Sequence, residues 1–200
     1  MKTENKLLKL QARESLAGKW GLAAGTFAVY LVICLIIGSI KNIGSIISLI
    51  ISGPLLIGIS LFSLSISRNG QAKMEQLFEG FKKFGRSLAA YLMVVLFTLL
   101  WSLLLIVPGI IASLSYSQTY YILADDEKIS AREAMRKSKK MMMGNKGKYF
   151  VLGLSFIGWL ILSIFTLGIG LIWLFPYMYV STAKFYEDIK GQNPVSSPSL

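Results

Sequence analysis

The run SLAAYLMVVLFTLLWSLLLIVPGIIASLSYSQTYYILA, residues 87–124, passes thirty-eight positions without an Asp, Glu, Lys, Arg or His. As one helix rising ~1.5 Å per residue it would extend roughly 57 Å, nearly twice a hydrocarbon core of about 30 Å. It must therefore double back. Val107-Pro108-Gly109 supplies the break: proline removes a backbone donor and disfavours helix at the residue before it, and glycine frees the turn. The pattern predicts a transmembrane hairpin over 88–106 and 110–124, and hence an integral membrane protein.

The rest of the chain repeats that pattern. Hydrophobic residues make up 54% of the 200 positions and charged residues 16%, and the apolar ones gather in runs too long for a soluble core. Residues 20–40 form a first span, whose ten Leu, Ile, Val and Phe residues favour insertion at roughly −0.3 to −0.6 kcal/mol each. It is too long for a secretory h-region and is followed by further spans, so it reads as an uncleaved helix. After the tight turn at Lys41-Asn42 comes a second span, 45–67, holding Gly53-Pro54. A second uncharged run, 149–183, is again too long to cross once and turns at Thr166-Leu167-Gly168-Ile169-Gly170, giving spans over 149–165 and 171–185. The fold class is all-α, a polytopic bundle of about six spans in a single domain over 1–190, with a disordered polar tail over 191–200. The last four spans are short, so they either cross a locally thinned bilayer or stop halfway as re-entrant hairpins.

The connectors are basic. With a cytoplasmic N-terminus, Lys41 alone of the 21 Lys and Arg residues lies on the far side, which the positive-inside rule strongly favours. Both termini are then cytoplasmic, at the cell membrane. In the first connector Leu8, Ala12 and Leu16 recur at four-residue spacing among Lys6, Lys9 and Arg13, suiting a helix on the inner membrane surface. In residues 68–86, Leu77, Phe78, Phe81 and Phe84 alternate with Lys82, Lys83 and Arg86, suiting rings at headgroup level and ammonium groups on anionic lipid. In the third, Ser130 and Glu133 make a capping box that opens a helix to about Met143. Its Ala131, Ala134, Met135, Ser138, Met141 and Met142 share one side, and Arg132, Arg136, Lys137, Lys139 and Lys140 occupy much of the rest. These cations, with Lys82 and Lys83, are the candidate surface for the anionic inner leaflet or a membrane-protein partner. Their place between apolar spans argues against nucleic acid.

Read by kind of element, the chain states one unit three times: basic surface segment, Gly-and-cation junction, span, and returning span with a proline. The junctions are Gly18-Lys19-Trp20, Gly85-Arg86-Ser87 and Gly147-Lys148-Tyr149, and the prolines are Pro54, Pro108 and Pro176.

Chemistry has little foothold. There is no histidine, metal-binding cysteine cluster, nucleophile elbow or phosphate loop, so no catalytic, cofactor or metal site is expected. Cys34, inside the first span, reads as an inert packing residue. Asp125, Asp126 and Glu127 lack the spacing of a calcium loop and precede a helix N-terminus, where their charge complements the helix dipole. Apart from Lys184 near the end of the last, the spans carry no Asp, Glu, Lys, Arg or His for an ion path. They offer hydroxyls: Ser52 and Ser60 within two serine rows, then Ser113 with Ser117 and Tyr116 with Tyr120, each pair one helical turn apart. These six either line a pocket for an amphipathic molecule or let helices approach and bond across.

Ala-Arg-Glu-Ser-Leu-Ala-Gly-Lys-Trp-Gly from Ala12, Ile-Val-Pro-Gly-Ile-Ile-Ala-Ser-Leu-Ser-Tyr from Ile106, Tyr-Tyr-Ile-Leu-Ala-Asp from Tyr120 and Leu-Ser-Phe-Ile-Gly-Trp from Leu154 carry a resemblance. With Thr-Leu-Gly-Ile-Gly from Thr166 and Pro176-Tyr177, the chain resembles the bacterial integral membrane family called domain of unknown function 975. It is also distantly similar to the membrane domain attached to some glycerophosphodiester phosphodiesterases, whose catalytic domain it lacks. The resemblance implies a multi-pass bacterial plasma-membrane protein and supplies no activity and no functional residues. Two functions fit: a non-enzymatic membrane component that meets lipid or protein through its basic helices, and a permease or exporter of a small amphipathic solute or lipid.

Overall fold

Ten α-helices and one 3-10 helix make up the regular structure of the computed structural model, which describes residues 3–40 and 43–192. In chain order they are α1 (Asn5–Leu16), α2 (Trp20–Ser39), α3 (Gly44–Ser67), the 3-10 helix (Met74–Phe81), α4 (Phe84–Leu104), α5 (Ile106–Tyr116), α6 (Thr119–Asp125), α7 (Ala131–Met141), α8 (Lys146–Leu154), α9 (Ile157–Phe165) and α10 (Leu171–Gln192). Among the described residues there is no strand. The polar tail from 193 onward and the turn residues 41 and 42 lie outside that description.

Among the described residues, four stretches are long and apolar enough to cross a membrane: α2, α3, α4 and Lys146–Phe165. The other two expected spans take a different form. Residues 106–125 break into α5 and α6 at Ser117-Gln118, and α10 carries Lys184, Glu187, Asp188 and Lys190 in its second half. The fourth stretch is itself jointed at Ser155-Phe156. The turn between α4 and α5 sits at Leu105, whose backbone is fully extended, two residues before the expected break. Pro108 falls inside the first turn of α5, where a missing N–H costs nothing because that donor has no partner in the helix.

Burial divides each long helix. α3 is buried almost continuously from Gly53 to Ser67, whereas α2 is buried at Ala23, Ala24, Thr26 and Phe27 and α4 at Ser87 and Ala90, all near their starts. Around that half of α3 two apolar clusters form. One joins Leu8, Leu64, Ile122, Met142 and Phe185; the other joins Ala12, Leu16, Phe27, Phe62 and Val180. The opposite ends of the helices are bare hydrocarbon: Leu103 is 83% exposed, Phe165 80% and Leu167 94%. Surfaces of that kind and extent are compatible with a lipid surrounding. Cys34 belongs to this exposed region and is not packed in a core.

Two connectors differ from their expected place on a membrane surface. The stripe of α1 is buried in protein, with Leu8, Ala12 and Leu16 packed among α10 and α3, so its apolar face is satisfied without lipid. The segment after α3 folds onto α3 itself. Leu77 is buried and Phe81 joins the second cluster, while Phe78 remains exposed and Phe84 begins α4. The physical reason is a pair of glycines. A Cβ on Gly58 would overlap the Leu77 carbonyl, and one on Gly80 the Pro54 carbonyl, so backbone meets backbone there. Gln76 Nε2 adds a hydrogen bond to Ser65 Oγ at 3.0 Å.

The expected junction glycines also shift. Gly18 and Gly144 take left-handed backbone (φ +74° at each) just beyond α1 and α7, ending those helices as a C-terminal glycine does. Gly85 and Gly147 sit within α4 and α8.

Candidate functional site

α7 is built as the sequence requires. Ser130 Oγ accepts from the Glu133 N–H at 3.3 Å, and the Glu133 carboxylate accepts from the Ser130 N–H at 3.2 Å, so both orphan donors are paired. The Ser130 hydroxyl, which donates to the Glu133 carboxylate at 2.7 Å, and then the Ser130 N–H hold that carboxyl below its ordinary pKa. The helix buries Ala131, Ala134, Ser138 and Met141 against α6, α4 and α5. Ser138 is fully buried and joins α7 to the broken chain beside it. Its Oγ donates to the Ser115 carbonyl at 2.8 Å and accepts from the Gln118 N–H at 3.2 Å. An unbroken α5–α6 helix would need neither bond.

The opposite side of α7 presents Arg132, Arg136, Lys139 and Lys140, all exposed, with Lys137 half-buried. Among the described residues none of those four exposed cations has a carboxylate within ion-pair distance, and Met143 stands 66% exposed beside them. Lys82 and Lys83 differ. Lys82 pairs with Glu79 at 2.7 Å and Lys83 with Glu127 at 2.8 Å, so these two are engaged in fixing the connector. Arg86 completes that join by donating to the carbonyls of Leu123, Asp126, Glu127 and Ile129, at 2.6–3.3 Å, which closes the end of α6. The five α7 cations of the expected surface therefore lie on one helix, while Lys82 and Lys83 are held in ion pairs of their own.

The acidic trio separates into three jobs. Asp125 accepts from Arg68, Lys190 and the Tyr186 hydroxyl, and Arg68 reaches Glu187 at 2.6 Å as well. Burial raises the Asp125 pKa, and the bonds from Lys190, Arg68 and Tyr186 outweigh it, leaving the carboxyl below its ordinary value. Asp126 caps the turn at Lys128 and Ile129, and Glu127 pairs with Lys83. Together with Lys148–Asp188 at 2.6 Å, these pairs fasten α3, α6, α8 and α10 at one end. Among the described residues no three His, Cys, Asp or Glu side chains are grouped to hold a metal.

The expected polar face divides too. Ser113, Tyr116, Ser117 and Tyr120 line one groove of about 460 Å³ between α4 and α5 together with Thr98. Ser52 and Ser60 lie on α3 and take no part in it. The serine hydroxyls turn back onto their own helices: Ser52 to Ser48 O, Ser60 to Leu56 O at 2.7 Å, Ser113 to Ile110 O at 2.8 Å and Ser117 to Leu114 O at 2.9 Å. With their protons committed to backbone, they offer a passing solute lone pairs only.

The family model described as a protein of unknown function (DUF975) matches residues 1–112 and 103–193. The chain belongs to that family. No curated protein and no solved structure matches it. Family membership thus brings no site with it, and function rests on the chemistry of these side chains.

Proposed function

We propose that this member of the family is a non-enzymatic component of the cell membrane, crossing it as three helical hairpins with both termini cytoplasmic, and that α7 is its contact with the anionic inner leaflet. The observation that carries this is the quartet Arg132, Arg136, Lys139 and Lys140, without an ion-pair partner among the described residues, on a helix whose other face Ser138 locks to α5 and α6. Each such cation gains ~1 kcal/mol near an anionic surface, and Met143 beside them can enter the headgroup layer. The test uses Cys34→Ala/Met143→Cys protein, carrying an environment-sensitive fluorophore, in vesicles of phosphatidylcholine with rising phosphatidylglycerol. Emission should shift blue with phosphatidylglycerol, lose that shift in high salt, and lose it when Arg132, Arg136, Lys139 and Lys140 are all replaced by Glu. Emission indifferent to lipid charge would refute the proposal.

The permease alternative has one observation in its favour, the α4–α5 groove. It predicts uptake of a small amphipathic dye into proteoliposomes that stops on Ser113→Phe. The back-bonded hydroxyls support a groove filled by lipid or a neighbouring helix instead.

A further inference from the structure

Between α9, α10 and the start of the chain lies a cavity that neither α7 nor the α4–α5 groove uses. α9 and α10 meet where Ser163 and Thr166 lie against Gly170. Thr166 Oγ1 accepts from the Gly170 N–H at 3.0 Å and donates to the Ser163 carbonyl at 2.9 Å, so no free donor remains to receive a polar ligand there. Along the two helices lies a cavity of about 430 Å³, running roughly 10 Å from Gly170 to Tyr177 at ~1.5 Å per residue. Three of the chain's four tryptophans, Trp20, Trp159 and Trp173, line it with Leu162 and Leu174. Its size is that of a small-molecule site, and its walls offer chiefly hydrocarbon and indole.

Arg13 of α1 stands at the Tyr177 end. Among the described residues no carboxylate lies within ion-pair distance of its guanidinium. Lys9, one turn earlier on the same side of α1, lies 5.6 Å from the ring centre of Phe156, which packs edge-to-face on Tyr177 at 5.4 Å. One guanidinium therefore stands at one end of a cavity whose length is apolar and whose far end offers no free hydroxyl donor, with Lys9 close by over the Phe156 ring. An elongated amphiphile with an anionic head complements that layout: alkyl against the indoles, phosphate against the planar fork of arginine.

We propose that this cavity binds one acyl chain of an anionic phospholipid, with its phosphate on Arg13. The site is independent of α7. Trp101→Phe leaves the three cavity tryptophans as the only indole reporters, in full-length protein reconstituted with phosphatidylcholine. Chain-brominated phosphatidylglycerol should then quench their fluorescence with about fivefold higher apparent affinity than brominated phosphatidylcholine, the weight of one basic residue toward an anionic lipid. Arg13→Gln, an exposed position, should abolish that preference. Replacing Arg132, Arg136, Lys139 and Lys140 by Glu should preserve it, as should an excess of inorganic phosphate. Equal quenching by both lipids, a preference that survives Arg13→Gln, loss on reversing the α7 charges, or displacement by free phosphate would each overturn the proposal.

Discussion

Replacing Ser138 by Ala removes one oxygen and strands two backbone groups. The Gln118 N–H loses its acceptor at 3.2 Å and the Ser115 carbonyl its donor at 2.8 Å, in a place where Ser138 is wholly buried. Each stranded group costs about 1–3 kcal/mol, and partial relaxation of the break makes ~2–4 kcal/mol the expected total. Ser60→Ala is the matched control. Ser60 is equally buried, but its hydroxyl bonds Leu56 O within its own helix, a carbonyl already serving the ladder, so under ~1 kcal/mol is expected. Reversible unfolding of both variants in mixed micelles, with hydrogen exchange at the Gln118 amide, measures the difference. Ser138→Ala should be the less stable by at least ~1 kcal/mol, the lower bound for one stranded group, and should expose that amide. Equal stabilities with a protected Gln118 amide would refute the claim that α7 is latched to the broken helix through this hydroxyl.

Gly80→Val should cost about 1–3 kcal/mol or more, because the new side chain meets the Pro54 backbone and the 3-10 helix must lift from α3; Gly85→Ala, with open space around its Cβ, should be neutral or slightly stabilising in the same unfolding assay. Asp125 has a folded pKa below its unfolded value, so its contribution is full above about pH 3.9 and is lost as pH falls through the lowered value. Thermal unfolding should therefore show a stability loss on acidification through that window that is smaller in Asp125→Asn, a variant already weaker at pH 7.

How much the sequence reveals depends on how far apart the interacting groups lie. Helical class, helices long and apolar enough to cross a membrane, the α9–α10 turn and the capped, two-faced α7 follow from patterns within a few residues, and all are present. The break at Ser117-Gln118 has no glycine or proline to announce it, and the serine that satisfies it lies twenty residues on. Gly58 and Gly80 look like ordinary helix and loop glycines until each is found against a carbonyl 19–26 residues away in the chain. Asp125 reads as a helix-dipole charge locally, yet its partners are Arg68 and Lys190, 57 and 65 residues distant. The serine rows were visible as rows, but a row does not say whether its hydroxyls point across or back; at Ser52, Ser60, Ser113 and Ser117 they point back. Arg13 and the three tryptophans are separate in sequence and become a site only when α1 lies against α10.

The proposed arrangement has apolar helices crossing the bilayer and the cationic elements gathered on the cytoplasmic side. In a Cys34→Ala background, single cysteines at two exposed positions, Ile43→Cys between α2 and α3 and Lys140→Cys on α7, probe it directly. A membrane-impermeant maleimide added to intact cells should label the thiol at 43 and leave the one at 140 unmodified until the cells are opened. Labelling at 140 with protection at 43 would contradict the account.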